Sequence, residues 1–312
     1  MKCNGNFNLA INTLMEKARK GYFKIKKIVG LNNSCKLLEK LFDSLIIPII
    51  TYCSEIWGIF SNFKDSEPFE KLHLKFIKEI LGVHCKTSND ACRAELGRIP
   101  LKGKILFSSI KYLEHILSLE GSLVNDIFYA TNSSNPWFIK IKSILQSLGF
   151  SFLNYSMNAL KTYLKQIKIR INDQCIQSQN ARIKESSKLE FFKNIYSENF
   201  RPPYIDLLKS IKDRSSISKI RLSAHSLMIE KGRYQNIDKK ERKCVICKND
   251  KIEDEEHFSL HCKVYQSKRV ILFSKLKCYT MYNHYSFQKI ANLMLNSSSD
   301  SILFKTDIFF YT

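Results

Sequence analysis

Residues 154–184, NYSMNALKTYLKQIKIRINDQCIQSQNARIK, place apolar side chains at helical spacing throughout. Leu160, Tyr163, Leu164, Ile167, Ile171 and Cys175 fall on one side and predict the buried face of a single long helix. Lys161, Lys165, Lys168 and Arg170 occupy its other side. A charged side of this kind is solvated by default, but it also suits a phosphate backbone, so these four are candidate nucleic-acid contacts. With only 10 Gly and 6 Pro in 312 residues, the chain has room for long helices and few turns for a sandwich or barrel. A mainly α fold is expected.

Towards the N-terminus the same periodicity recurs in shorter pieces. Leu14, Met15, Ala18, Tyr22 and Ile25 predict an amphipathic helix stopped by Gly30. Ser34 is placed to cap a second helix, which Pro48 is expected to break or kink for want of an amide donor. Pro68 suits the first turn of a helix closing at Gly82, Ser88 to Asp90 a cap for a short helix ending at Gly97, and Leu101 opens a longer one. His73 and His84 read as structural or surface residues. The polar run Thr131–Asn135 marks a boundary, after which Pro136 starts a helix stopped by Gly149. Beyond the long helix, Arg201-Pro202-Pro203 interrupts the pattern, and Ser216–Lys231 reads as one helix ended by Gly232. These breaks suggest a helical domain at residues 1–130, a helical connecting region at 131–235, a small cysteine-rich module at 236–275 and a tail at 276–312.

Charge bounds the function. Lys plus Arg number 50 against 29 Asp plus Glu, a net +21, with an isoelectric point near 9.5. An excess of this size points to a polyanionic partner, because each phosphate neutralised by Lys or Arg releases counterions. The ten cysteines are mostly scattered singly and do not form a disulfide framework, so a reducing, intracellular compartment, nucleus or cytoplasm, is expected. The opening MKCNGNFNLA lacks the apolar core of a signal peptide, so secretion is not expected. The most apolar window, Leu41–Phe60, is interrupted by Asp43, Pro48 and Glu55, which argues against a membrane span. No small-molecule substrate is indicated.

The strongest chemical motif is Cys244–Cys262, CVICKNDKIEDEEHFSLHC. Cys244, Cys247, His257 and Cys262 stand at zinc-ligand spacing and make a closed CCHC set, a zinc knuckle holding one structural Zn²⁺ with no position left for substrate. His261 is a competing ligand beside Cys262. Val245, Ile246, Phe258 and Leu260 are expected to form the module's miniature core. Lys239, Lys240, Arg242 and Lys243 precede it and are the second group of candidate nucleic-acid contacts. The acidic run Glu253–Glu256 interrupts the basic surface and suggests, as a competing reading, a protein-interaction loop. Four ligands are too few for a RING-type ligase, and no HExxH or His-x-Glu signature of a zinc hydrolase is present.

Taken in order, KLFDSLIIPIITYCSEIWG (Lys40–Gly58), KLHLKFIKEILGVHCKTSNDACRAELGRIPL (Lys71–Leu101), KIRLSAHSLMIEKGRY (Lys219–Tyr234) and the cysteine motif resemble the C-terminal part of the reverse transcriptase of LINE-type retrotransposons. The similarity covers most of Leu9–Cys262; one departure is Cys53, where the family often has a small residue such as glycine. The resemblance implies that residues 1–130 form a thumb-like helical bundle and that the C-terminal region with its knuckle engages RNA or target DNA. It also implies what is missing. The family's polymerase palm carries an Asp-Asp pair after an aromatic residue, and no Asp-Asp pair occurs in this sequence, so polymerisation by this chain alone is not expected. The family's endonuclease has no counterpart either. The alternative is a working RNA-directed DNA polymerase whose palm is encoded upstream. Helices that normally pack on a palm would then expose apolar faces, which predicts poor solubility or self-association.

Overall fold

The computed structural model describes residues 7–131, 134–151, 157–198 and 200–275. The expected tail with its polar run Asn296–Asp300, residues 132–133 of the polar loop, residues 154–156 of the long helix, and Cys3, Lys277 and Cys278 lie outside the described residues. Among the described residues every regular element is helical, apart from one antiparallel bridge between Lys243 and Ile252.

Helix α1 (Asn8–Val29) runs into Gly30, whose φ of 72° is the left-handed stop expected there. Ser34 caps α2 (Cys35–Leu41), its hydroxyl accepting the Leu37 amide at 3.3 Å. Pro48, expected to break this helix, does not. A π-turn at Phe42–Ile46 leads directly into α3 (Ile47–Ile50), and the Ile47 amide reaches back to the Phe42 carbonyl. The widened turn makes room for a proline ring that would otherwise crowd the preceding turn. The break comes after Ile50 instead, where the chain bends by 64° into α4 (Ser54–Trp57) through Cys53, a residue with φ 52°.

Next come α5 (Pro68–Leu81), α6 (Asn89–Leu96), α7 (Leu101–Ser118), α8 (Leu123–Thr131), α9 (Pro136–Ser147) and α10 (Met157–Glu185). Ser88 and Asn135 cap α6 and α9 by accepting the Ala91 and Trp137 amides. The predicted long helix is thus present as α10, with Leu160, Ile167, Ile171 and Cys175 buried. Then follow α11 (Glu190–Ile195), α12 (Tyr204–Leu207), α13 (Ile211–Arg221), α14 (Met228–Tyr234) and α15 (Gln266–Lys275). The single helix expected over Ser216–Lys231 is therefore two, and Gly232 lies inside α14. Ser223 takes a left-handed φ of 48°, and the Ala224 amide closes α13 on the Lys219 carbonyl at 2.7 Å. Gly232 is needed for a close approach rather than a stop, since a Cβ there would lie 2.6 Å from Arg242 Cγ.

The chain forms two compact units, each assembled from separated stretches. The first takes residues up to Ile28 with Lys40–Leu74 and Ile99–Ala181. Its main core joins α7, α8, α9 and α10 through Ile110, Leu113, Phe128, Phe138, Ile141, Leu145 and Ile167. The segment around α4 is tied in by polar and steric detail. The Trp137 indole donates to the Glu55 carbonyl at 2.8 Å, the Trp57 indole to the Tyr52 carbonyl at 2.9 Å, and Gly58 lets α4 press on α7. His73 is a core residue, stacked on Phe42 and beside the buried Glu70, whose carboxylate accepts the first amide of α7 at Leu101. No single helix among the described residues is long and apolar enough to cross a membrane. The bent pair Cys35–Phe60 passes on length and composition, but Phe42, Ile46, Ile47, Ile50, Trp57 and Ile59 are buried within the protein.

The second unit takes Val29–Glu39, Lys75–Arg98 and the chain from Arg182 onward. Buried arginines hold it together. Arg214, fully buried, donates to the carbonyls of Leu31, Asn33, Ile80 and Leu208. Arg221 pairs with Glu95, which also accepts the Tyr204 hydroxyl at 2.6 Å. Arg201 bridges Glu39 and Asp206 at 2.8 and 2.9 Å.

Two substitutions in the first unit test these backbone constraints. A residue with a Cβ pays roughly 1–2 kcal/mol in the left-handed region, part of which glycine gives back through the unfolded chain, so Cys53→Gly stabilises by up to about 1 kcal/mol. At Gly58 an added Cβ would lie 2.2 Å from Ile105 Cγ2, so Gly58→Ala destabilises by about 1–3 kcal/mol. Denaturant midpoints measured side by side should move in opposite directions.

Candidate metal centre

The cysteine motif begins on the bridge that closes a loop. The Cys244 amide donates to the Lys251 carbonyl and the Glu253 amide to the Arg242 carbonyl, both at 2.9 Å, so residues 243–252 form a hairpin-like turn carrying Cys244 and Cys247. Lys248 turns the chain with φ 52°. The second pair of ligands comes from a π-turn at His257–His261, where the Cys262 amide reaches the His257 carbonyl at 2.7 Å. A five-residue turn brings His257 and Cys262 to the same side. Asp254 starts that turn by accepting the His257 amide at 2.7 Å.

These two turns bring all four predicted ligands together. One ligand atom from each of Cys244, Cys247, His257 and Cys262 lies within 4.8 Å of the other three, and Cys247 Sγ is 3.3 Å from His257 Nε2. In a tetrahedral site, with metal–sulfur bonds of about 2.3 Å and metal–nitrogen bonds of about 2.0 Å, neighbouring ligand atoms stand roughly 3.6–3.8 Å apart. Only a small contraction separates the observed set from that geometry, and the four side chains can hold a metal ion. His261 points elsewhere, its Nε2 3.5 Å from Glu256 in a half-exposed pair.

The surroundings suit thiolates. Backbone amides of Ile246 and Cys247 face the Cys244 sulfur, that of Asn249 faces Cys247, and that of Val264 faces Cys262. The Asn249 amide holds the Cys247 thiol below its usual range. Burial dominates at Cys244, pushed up to about 12, and raises Cys262, while it lowers the His257 imidazole. The cluster without metal is therefore largely protonated at its buried thiols, and binding an ion must displace those protons.

The miniature core differs from expectation. Phe258 and Leu260 are buried as predicted, but Val245 and Ile246 are 63% and 40% exposed, because they sit at the tip of a turn whose two cysteines face inward. Their place is taken by Tyr265, whose ring meets Phe258 edge-on at 5.0 Å. Arg269 is buried, and its guanidinium donates to the Leu260 and Cys262 carbonyls. The spacing of Cys262, Tyr265 and Arg269 by three and four residues is the signal that would have placed that arginine inward. The acidic run is not an exposed face either. Glu253 and Glu255 are buried, Glu253 accepting the Met228 amide at 2.8 Å and Glu255 pairing with His225 at 2.9 Å. These contacts explain why the chain leaves its helix between Arg221 and Met228.

The candidate nucleic-acid contacts behave differently. Lys161, Lys165, Lys168 and Arg170 are all exposed on α10. Helical geometry puts the three lysines along one flank and Arg170 half a turn away from Lys161. Near the metal ligands, Lys240 is exposed, Lys239 pairs with Glu190 at 2.8 Å, and Lys243 pairs with Asp250 at 3.0 Å. Arg242 is a brace, donating to the Ile229 and Ile237 carbonyls at 2.9 and 3.0 Å across Gly232. Comparison with protein-family models, curated proteins and solved structures finds no match in any of the three.

One ion binds per chain, with affinity falling as pH drops because protons compete for the thiols. Titration with Co²⁺, followed by its thiolate absorption bands, should give unit stoichiometry for the native chain and for His261→Ala, and no such bands for Cys262→Ala.

Proposed function

We propose that the chain binds nucleic acid without catalysing a reaction by itself, and that one structural zinc ion at Cys244, Cys247, His257 and Cys262 holds its C-terminal module in shape. Zinc is favoured by the donor set, since three thiolates and one imidazole in a tetrahedral arrangement match its preference. All four positions are protein ligands, which leaves the ion a structural role. The protein's own cysteines, among them buried free thiols at Cys35, Cys92 and Cys175, suit a reducing compartment.

The observation that carries the nucleic-acid reading is the exposed row Lys161, Lys165 and Lys168 on one flank of α10, in a chain of net charge +21. Lysine ammoniums in a row follow a phosphate backbone without reading bases. The resemblance to the thumb and C-terminal region of LINE-type reverse transcriptases agrees with this reading and draws support from Cys53. Its left-handed φ of 52° is a conformation glycine adopts readily, and glycine is common in the family at that place.

The test is a salt titration of RNA or DNA binding, with primer extension run beside it. Affinity should fall linearly on a log–log plot against salt, with a slope of about 0.7–0.9 per phosphate contacted. Replacing Lys161, Lys165 and Lys168 by Gln together should reduce that slope by about two. Replacing Arg242 should instead unfold the metal module, because its guanidinium is committed to two carbonyls. Primer extension by the native chain, or a salt-insensitive affinity, overturns the reading.

A further inference from the structure

A cavity of about 270 Å³ opens on the second unit. The loop after α5 contributes Lys86, the turn before α11 contributes Lys188, the α13–α14 link contributes His225, and α14 contributes Glu230 and Tyr234. The metal ligands are not among its lining residues.

Three kinds of chemistry meet there. Glu230 is 3% exposed, and its Oε2 has no hydrogen-bond partner; the nearest cation, Lys188 Nζ, stands 3.7 Å away, too far for one. A buried carboxylate oxygen in that position calls for an N–H donor from a ligand. Tyr234 is 62% exposed and offers a flat aromatic surface at the rim, with Lys188 Nζ 5.6 Å from its ring centre and 3.1 Å from its hydroxyl. Lys86 is exposed at the mouth. His225 is already committed to Glu255 and shapes the wall.

An acceptor for an amino group, an aromatic plane and ammonium groups are what one nucleotide requires for its base edge, base face and phosphate. We infer that this cavity receives a single unstacked nucleotide whose base carries an exocyclic amino group, with Glu230 accepting from that group, Tyr234 stacking on the ring and Lys86 and Lys188 facing the phosphate. The inference rests on the nucleic-acid reading and extends it from backbone affinity to a base preference. A uracil or thymine edge presents a carbonyl where cytosine presents an amino group, and that carbonyl would face the carboxylate oxygen. A strand and a free nucleotide share this chemistry.

The test compares binding of cytidine and uridine homopolymers, and of free CMP, to the native chain, Glu230→Gln and Tyr234→Ala, with zinc content checked throughout. The native chain should prefer the cytidine strand by about tenfold. Glu230→Gln should lose the preference, because an amide donates to uracil as readily as it accepts from cytosine. Tyr234→Ala should weaken both strands about tenfold and leave the salt slope unchanged. Salt-dependent binding with equal affinity for the two strands, or with a preference that survives Glu230→Gln, overturns the cavity's role and leaves the backbone reading standing. Binding of CMP without strand binding supports the cavity and overturns the nucleic-acid reading; binding of neither overturns both.

Discussion

A guanidinium in an apolar interior must have its donors satisfied, and Arg214 meets that demand with backbone alone. It takes carbonyls from the turn after α1, from the end of α5 and from the segment before α13. Those carbonyls belong to stretches more than a hundred residues apart in sequence, yet none has a neighbouring strand or helix to accept its hydrogen bond in their place. The charge and the loops therefore depend on each other. Removing the arginine leaves several buried acceptors unpaired, at about 1–3 kcal/mol each, and losing the loops would strand a buried cation. Beside it, Arg221, Glu95, Tyr204 and Ser218 form a closed buried network in which the two ionised partners neutralise each other.

The metal module is held to the same unit by polar contacts of a similar kind. Glu253 fixes the start of α14, Glu255 holds Ser223 and His225, and Arg242 lies over Gly232. An ion at the four ligands would order the turns 243–252 and 257–262, and those turns present the carboxylates. Metal binding is in this way coupled to the 222–234 segment, and the cavity bounded by Glu230 and Tyr234 depends on that segment's path.

Much of this was legible in the sequence because its signals are local. Serine and asparagine caps, the glycine stops at Gly30, Gly82, Gly97 and Gly149, and the ligand spacing each act within a few residues. Pro48 misled because the rule for proline assumes an α-helical turn before it, and a π-turn changes which carbonyl the ring meets. The α13–α14 break was hidden because it is imposed from outside, by acids some thirty residues further on. The interleaving of the two units is equally non-local, since no linear pattern records that Val29–Glu39 packs with residues beyond Arg182.

Buried arginine also changes how the basic composition is to be understood. Of eleven arginines in the sequence, Arg93, Arg214, Arg221 and Arg269 are fully buried, and Arg242 is committed to carbonyls. The net charge counts them, but a partner in solvent does not meet them. What it meets is chiefly lysine, a hydrated point charge on a flexible stem without the fork that recognises guanine or grips a phosphate bidentately. A surface of that kind gives affinity that is steeply salt-dependent and indifferent to sequence. Any discrimination between bases must then come from a concave feature with a fixed acceptor, and that is the part Glu230 is placed to play.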